Sequence, residues 1–197
     1  MRQLLFPRLY DLCMAPAERG PLGRWRKAVV GAAEGRVLEI GAGTGLNFAY
    51  YQPDVWVVAT DLSVGMLARA RSRAHESAAQ IVLVVADAEA LPFRDGAFTD
   101  CVVGLALCTI PRPSVALVEL RRTIRHGGRL QLLEHVRIDS PVFGRLQDWL
   151  SPLWQRVAGG CRLNRRTVET VAHSGFILES VTPHLAGYVQ EIVARAP

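Results

Sequence analysis

Short apolar runs recur along the chain and are separated by segments whose apolar residues fall at helical spacing. Residues 36–40 (RVLEI), 55–61 (VWVVATD), 81–87 (IVLVVAD), 98–107 (FTDCVVGLAL) and 129–136 (RLQLLEHV) read as strands. Each is nearly continuous in its apolar residues, as expected of parallel strands covered on both faces rather than half-exposed ones. Between them, residues 46–51 read as the start of a helix. Residues 63–78 form a second helix, capped by Ser63, with Met66, Leu67 and Ala70 sharing a face. Residues 113–125 form a third, expected to stop at the Gly127-Gly128 pair. Further on, residues 140–160 form an aromatic-rich helix broken near Pro152, and residues 164–175 another helix. Residues 176–183 and 184–195 then predict a closing antiparallel pair of strands. Alternation of this kind predicts an α/β fold: a Rossmann-like, doubly wound, mostly parallel seven-stranded sheet with helices on both faces and an antiparallel last strand.

Length adds one constraint: 197 residues make one domain with a proper core. It divides into an N-terminal part (1–34), a central part (35–137) and a C-terminal part with closing strands (138–197). No apolar run is long enough for a membrane span, and Pro7, Arg8 and Asp11 interrupt the N-terminus, so no signal peptide is read and a cytoplasmic location is expected. Cys13, Cys101, Cys108 and Cys161 lie far apart without zinc-type spacing, so reduced thiols are expected, with no metal and no disulfide. The formal charge of +5 comes almost wholly from arginine, Lys27 being the only lysine. Such an excess is usual for a solvated exterior and does not by itself indicate nucleic acid.

The candidate chemistry centres on residues 36–47, RVLEIGAGTGLN. A dinucleotide-binding turn needs G-x-G-x-x-G, whereas Leu46 occupies the position of the third glycine and Gly45 comes one residue early. The pattern is instead Glu39-x-Gly41-x-Gly43-x-Gly45. A carboxylate just ahead of the glycines suits a ligand bearing an amino group and a sulfonium better than a pyrophosphate. Asp61 closes the second strand, where an acidic side chain can take two ribose hydroxyls, and Asp87-Ala88-Glu89 closes the third, where a carboxylate and an amide can read an adenine edge. All three lie at the carboxyl ends of adjacent strands, where open α/β sheets bind ligands.

The segments VLEIGAGTG, VVATDLSVGMLARAR, VVADAEALPFRDGAFTDCVV and LRRTIRHGGRLQLLEHV resemble the class I S-adenosylmethionine-dependent methyltransferases. Among these, they are similar to the small-molecule group that includes the ubiquinone/menaquinone C-methyltransferases. The resemblance makes residues 35–137 the cofactor-binding core. It implies S-adenosylmethionine as cofactor and S-adenosylhomocysteine as product, with Glu39, Gly41, Ala42, Gly43, Gly45 and Asn47 at the methionine end. It further implies Asp61 and Leu62 at the ribose, Met66, Asp87, Ala88 and Glu89 at the adenine, and Leu105 lining the pocket. LLEHV, a tryptophan-containing helix, GGCRLNRRT and HLAGYVQ resemble, more loosely, the animal methyltransferase-like proteins acting on alkyl thiols. Their bacterial relatives include phosphatidylethanolamine N-methyltransferases.

The acceptor implied is a small, lipophilic molecule: a phospholipid amine such as phosphatidylethanolamine, an alkyl thiol, or a quinone-type ring. A non-catalytic module that only binds the cofactor is the alternative from another class. His135, at the end of the fifth strand, is the expected general base, with Glu134 beside it as a second catalytic candidate; His173 and His184 carry weaker claims, and Cys108 and Thr109 read as packing or as lining the pocket. ALCTIPRP follows the fourth strand in place of the Asn/Asp-Pro-Pro-aromatic tetrapeptide of base methylation, so no nucleic acid partner is expected. The N-terminal segment mixes Leu4, Leu5, Phe6, Leu9, Leu12, Met14 and Trp25 with Arg2, Arg8, Arg19, Arg24, Arg26 and Lys27. It reads as a lid, a contact with an anionic membrane surface, or both. Phe143, Trp149, Leu150 and Trp154 read as core or as the roof of an apolar acceptor site. Oligomeric state is left open.

Overall fold

The computed structural model describes the backbone of residues 2–197 and the side chains of residues 10–197. Helices α1 (Arg2–Glu18) and α2 (Pro21–Gly31) precede strand β1 (Arg36–Ile40). There follow β2 (Trp56–Asp61), α3 (Val64–Glu76), β3 (Gln80–Val85), β4 (Phe98–Gly104), α4 (Pro113–Thr123), β5 (Ile124–His135), α5 (Pro141–Val157), α6 (Thr167–His173), β6 (Ile177–His184) and β7 (Val189–Arg195). The seven strands form one sheet in the order β3-β2-β1-β4-β5-β7-β6. β1 to β5 are parallel, and β7 inserts antiparallel between β5 and β6.

The apolar runs are buried on both faces because alternate residues feed two cores. Leu38, Ile40, Val58 and Val103 join Leu117 and Leu120 of α4 on one side. Val37, Val57, Ala59 and Val102 join Phe48, Leu67 and Ala70 on the other. Chain reversal between β1 and β4 puts the order-changing crevice at their carboxyl ends, beside the glycine turn.

Four local expectations are corrected. Residues 46–51 do not open a full helix; only a single 3-10 turn, Phe48–Tyr50, fits before the chain must enter β2. The Gly127-Gly128 pair does not end α4, which stops at Thr123. It lies inside β5, where Gly127 takes φ +73° and a Cβ on Gly128 would lie 2.2 Å from the Thr99 carbonyl, so the pair makes a kink in the strand next to its shifted register with β4. Helix α5 runs through Pro152 unbroken; the proline faces solvent, where water can meet the carbonyl it leaves unpaired. The helix expected over 164–175 is confined to Thr167–His173. Among the described residues no helix is long and apolar enough to cross a membrane.

The N-terminal segment packs inward. Asp11 of α1 accepts from Thr44 Oγ1 at 2.5 Å and from Arg69 Nε of α3 at 2.6 Å, with Arg73 beside it, so α1 lies across the glycine turn. Trp25 and Met14 pack against a small core of Leu22, Val29, Leu133 and Val189. Arg26 is buried and paired with Glu18, leaving Arg24 and Lys27 at the surface. The side chains of Arg2, Leu4, Leu5, Phe6, Arg8 and Leu9 lie outside the described residues.

Candidate active site

β1 delivers the chain into three left-handed glycines: Gly41 at φ +65°, Gly43 at +57° and Gly45 at +83°. Their reasons differ. A Cβ on Gly41 would lie 2.3 Å from Ala106 Cβ, and one on Gly45 2.7 Å from the Phe48 ring, so both are fixed by packing. A Cβ on Gly43 would meet nothing closer than 3.9 Å and would instead fill a small cavity. That cavity is lined by Gly41–Thr44, Asn47 and Gly104, with Tyr10 and Arg26 facing them. Gly43 N–H donates to Asp61 Oδ2 at 2.9 Å, and Ser63 N–H to Asp61 Oδ1 at 2.8 Å, so the acid at the end of β2 is oriented by the turn.

Glu39 is fully buried behind this turn rather than exposed in the cavity. Its two oxygens accept from Asn47 Nδ2 and Tyr51 O–H, both at 2.8 Å. Burial pushes its carboxyl up to about 7, against the opposing pull of Tyr51, Asn47 and Arg26. Asn47 in turn accepts from Arg26 Nη1 at 2.5 Å, and Arg26 donates to both oxygens of Glu18. A buried network Glu18–Arg26–Asn47–Glu39–Tyr51 therefore joins the N-terminal helices to the turn. It brings the Arg26 guanidinium and the Asn47 amide to the cavity wall, with the Glu39 carboxyl behind them. Arg26, Tyr10, Thr44 and Asp11 were not singled out as site residues by sequence; only the docking of α1 and α2 brings them there.

Leu62 is 69% exposed and Met66 half-buried along the rim beyond Asp61. Asp87 is exposed and accepts from Glu89 N–H at 2.9 Å, with Ala88 half-buried between them. Glu89 itself is committed to Arg112, taking its backbone and side-chain N–H groups at 2.7 Å each. These residues share the carboxyl edge of β2 and β3 with the glycine turn.

On the far side, β4 is followed by Leu105, a non-glycine residue at φ +56°. This kink aims the N–H groups of Ala106 and Leu107 at Glu134 Oε1, 2.7 Å each, and that of Cys108 at Oε2, 3.4 Å. Glu134 is fully buried, and burial raises its carboxyl above the usual range. Its place is that of a clamp on the loop walling the glycine turn, not of a group presented to an acceptor, which corrects the expectation of a catalytic Glu134.

His135 is not a free base either. Its Nε2 lies 2.9 Å from Cys161 Sγ, its ring stacks on Tyr188, and its Nδ1 is buried with no hydrogen-bond partner among the described residues. Cys161 also receives Trp154 Nε1–H at 3.3 Å. The Cys108 thiol and then His135 hold Cys161 well below the usual thiol range, against the effect of burial. Ligand atoms of Cys108, His135 and Cys161 lie within 4.8 Å of one another. Cys108 and Cys161, remote from each other and from His135 in sequence, are thus brought together by the topology. His184 is held by Glu191 at 2.8 Å and stacks on Trp25, His173 bonds its own helix at the Glu169 carbonyl, and Thr109 bonds the Ala106 carbonyl.

Comparison with known proteins places this geometry. A family model described as "Methyltransferase domain" matches residues 38–132, from β1 into β5. The chain is 31% identical over 194 residues to the phosphatidylethanolamine N-methyltransferase of Cereibacter sphaeroides, covering 96% of this chain and 86% of that protein. It is 31% identical over 201 residues to the ubiquinone/menaquinone biosynthesis C-methyltransferase of Methylobacterium nodulans, covering 90% and 80% respectively. The structure of geranyl diphosphate methyltransferase in complex with S-adenosylmethionine superposes with a TM-score of 0.71 at 15% identity, covering 87% of this chain and 84% of that one.

Proposed function

The chain belongs to the methyltransferase-domain family and is an S-adenosylmethionine-dependent methyltransferase of the small-molecule type, and on that premise we propose that it methylates a lipophilic acceptor, a phospholipid amine, at a membrane surface.

The residues present fit the cofactor. Gly43 leaves open the space that a Cβ would fill, and Arg26 and Asn47 on the cavity wall offer a guanidinium and an amide to an amino-acid zwitterion, with Glu39 holding that amide from behind. When bound, S-adenosylmethionine supplies an electrophilic methyl group on a sulfonium. In this reading Gly41, Ala42, Gly43 and Gly45 enclose the methionine end and Arg26 takes its carboxylate. Asn47, held by Glu39, receives the amino group. Asp61 takes the ribose hydroxyls, while Leu62, Met66, Asp87 and Ala88 border the adenine, and Leu105 with the Glu134-clamped loop closes the wall. Asp11 and Tyr10 make α1 the lid that excludes water, which strengthens each of these contacts.

The observation that carries the lipid reading is helix α5. Val142, Phe143, Leu146, Trp149, Leu150, Leu153, Trp154 and Val157 form one exposed apolar stripe, with Trp149 at 77% and Leu153 at 63% exposure. Arg145 and Arg156 are exposed on the same helix. A helix with this division of apolar and basic side chains lies in a lipid interface, with tryptophan at headgroup depth. The membrane contact is therefore assigned to α5 rather than to the N-terminus, whose basic and aromatic side chains are partly spent on packing. Resemblance to a phosphatidylethanolamine N-methyltransferase over nearly the whole chain supports the amine acceptor.

The test is incubation with methyl-labelled cofactor and separate phosphatidylethanolamine, alkyl thiol and demethylquinone fractions, alongside calorimetry with S-adenosylhomocysteine. Label in the phospholipid amine, and loss of homocysteine-product binding in Asp61→Ala, are expected. Undiminished binding by that variant refutes the cofactor assignment; label only in the quinone fraction refutes the acceptor.

A further inference from the structure

We propose that Cys108, His135 and Cys161 form a binding site for a thiophilic divalent cation of the Zn2+ class. The three residues come from separate segments: the loop after β4, the last residue of β5, and the turn after α5. Their ligand atoms nevertheless lie within 4.8 Å of one another, with His135 Nε2 and Cys161 Sγ 2.9 Å apart. Two thiolates and an imidazole are a preferred zinc donor set, bound at about 2.3 Å for sulfur and 2.0–2.1 Å for nitrogen. Tetrahedral geometry at those lengths separates the donors by roughly 3.5 Å, so the cluster needs only small side-chain adjustments to close on an ion.

Each ligand is held from outside the cluster. Glu134 takes the Cys108 N–H, and the Arg162 N–H donates to the Cys108 carbonyl at 3.1 Å, tying the Cys161 turn to the β4 loop. Tyr188 stacks on the His135 ring, and Trp154 Nε1–H donates to Cys161 Sγ. Outer partners of this kind fix ring orientation and thiolate lone pairs at metal sites. Among the described residues no fourth His, Cys or carboxylate joins the cluster, so the fourth position falls to water or an exogenous donor. The ion would pin the end of α5 to the carboxyl edge of the sheet.

The site is separable from methyl transfer, and its test does not read activity. Reduced full-length protein is titrated with Co2+ and followed by absorbance, and zinc content is measured after dialysis. Thiolate-to-cobalt charge-transfer bands with tetrahedral d–d intensity are expected, displaced by Zn2+. Cys161→Ser, at a half-exposed position, and His135→Ala should each weaken binding by at least about tenfold, whereas Cys13→Ser should not. Circular dichroism and S-adenosylhomocysteine calorimetry on the same samples establish that each variant is folded. Absence of thiolate bands in folded parent protein, equal cobalt binding by Cys161→Ser, or a Cys108–Cys161 disulfide whose reduction restores no cobalt uptake would each overturn the site. Retained S-adenosylhomocysteine binding in those cases leaves the methyltransferase reading intact.

Discussion

Glu134→Ala is the substitution whose cost follows most directly from the structure. The parent carboxylate accepts two short hydrogen bonds from the Ala106 and Leu107 N–H groups at 2.7 Å and a longer one from Cys108 at 3.4 Å. All lie in the interior, so alanine strands at least two buried donors, each costing about 1–3 kcal/mol. Against that gross loss of roughly 2–6 kcal/mol, the variant is relieved of burying a carboxyl that the interior already pushes toward its neutral form. A net loss of about 3 kcal/mol is expected, a sizeable part of the roughly 5–15 kcal/mol of a typical domain. In a chain of this size that corresponds to a fall in Tm of about 6–12 °C. Glu134→Gln keeps an oxygen for Ala106 and Leu107 and should lose only about 1 kcal/mol. Urea unfolding of parent, Gln and Ala proteins measures both. Affinity for S-adenosylhomocysteine should fall in the same order, because the released loop carries Ala106, which packs on Gly41. An alanine variant within about 0.5 kcal/mol of the parent, the range of an ordinary surface change, would refute the clamp.

Gly41→Ala and Gly43→Ala should separate stability from binding. The first places a Cβ 2.3 Å from Ala106 Cβ and should cost about 2–4 kcal/mol. The second meets no wall, should cost about 1–2 kcal/mol for its left-handed backbone, and should lose most cofactor affinity; calorimetry and urea melts on both proteins check the contrast. Glu39 has a folded pKa raised from 4.5 to about 7, so its contribution is most favourable below the lower value and is lost as pH rises to the upper one. That corresponds to about 3 kcal/mol, and Glu39→Gln should flatten the fall in urea midpoint between pH 5 and 7; an unchanged slope contradicts it. Replacing Trp149 and Leu153 by serine should abolish flotation with anionic liposomes while leaving S-adenosylhomocysteine binding unchanged, and equal recovery of parent and variant would remove α5 as the lipid contact.

The sequence by itself determined the strands, their parallel stacking and the glycine turn at their carboxyl ends, because these follow from local pattern. A continuous apolar run has to be covered twice, and Gly41-x-Gly43-x-Gly45 after such a run leaves little but a left-handed turn. The meeting of Asp61 with that turn was legible for the same reason, since an acid ending β2 lies beside the turn that follows its parallel neighbour β1. Local pattern misled where one residue type serves two geometries. Gly127-Gly128 reads equally well as a helix stop or a strand kink, and only the close approach of Thr99 decides. Glu39 read as a ligand group, yet two-residue alternation sends it to the same face as Val37, where Asn47 and Tyr51 hold it within the sheet's cover.

What only the tertiary structure decided are the contacts between segments remote in sequence. Arg26 reads as one more surface arginine until α2 docks beside Asn47, and Glu134 as a partner for His135 until the left-handed Leu105 turns three N–H groups toward it. Cys108, His135 and Cys161 show no spacing that a local motif could reveal, because their meeting is set by the parallel pairing of β4 with β5 and by the return of the chain after α5. Periodicity records which face of an element is buried; it carries no information about which distant side chain will be waiting there.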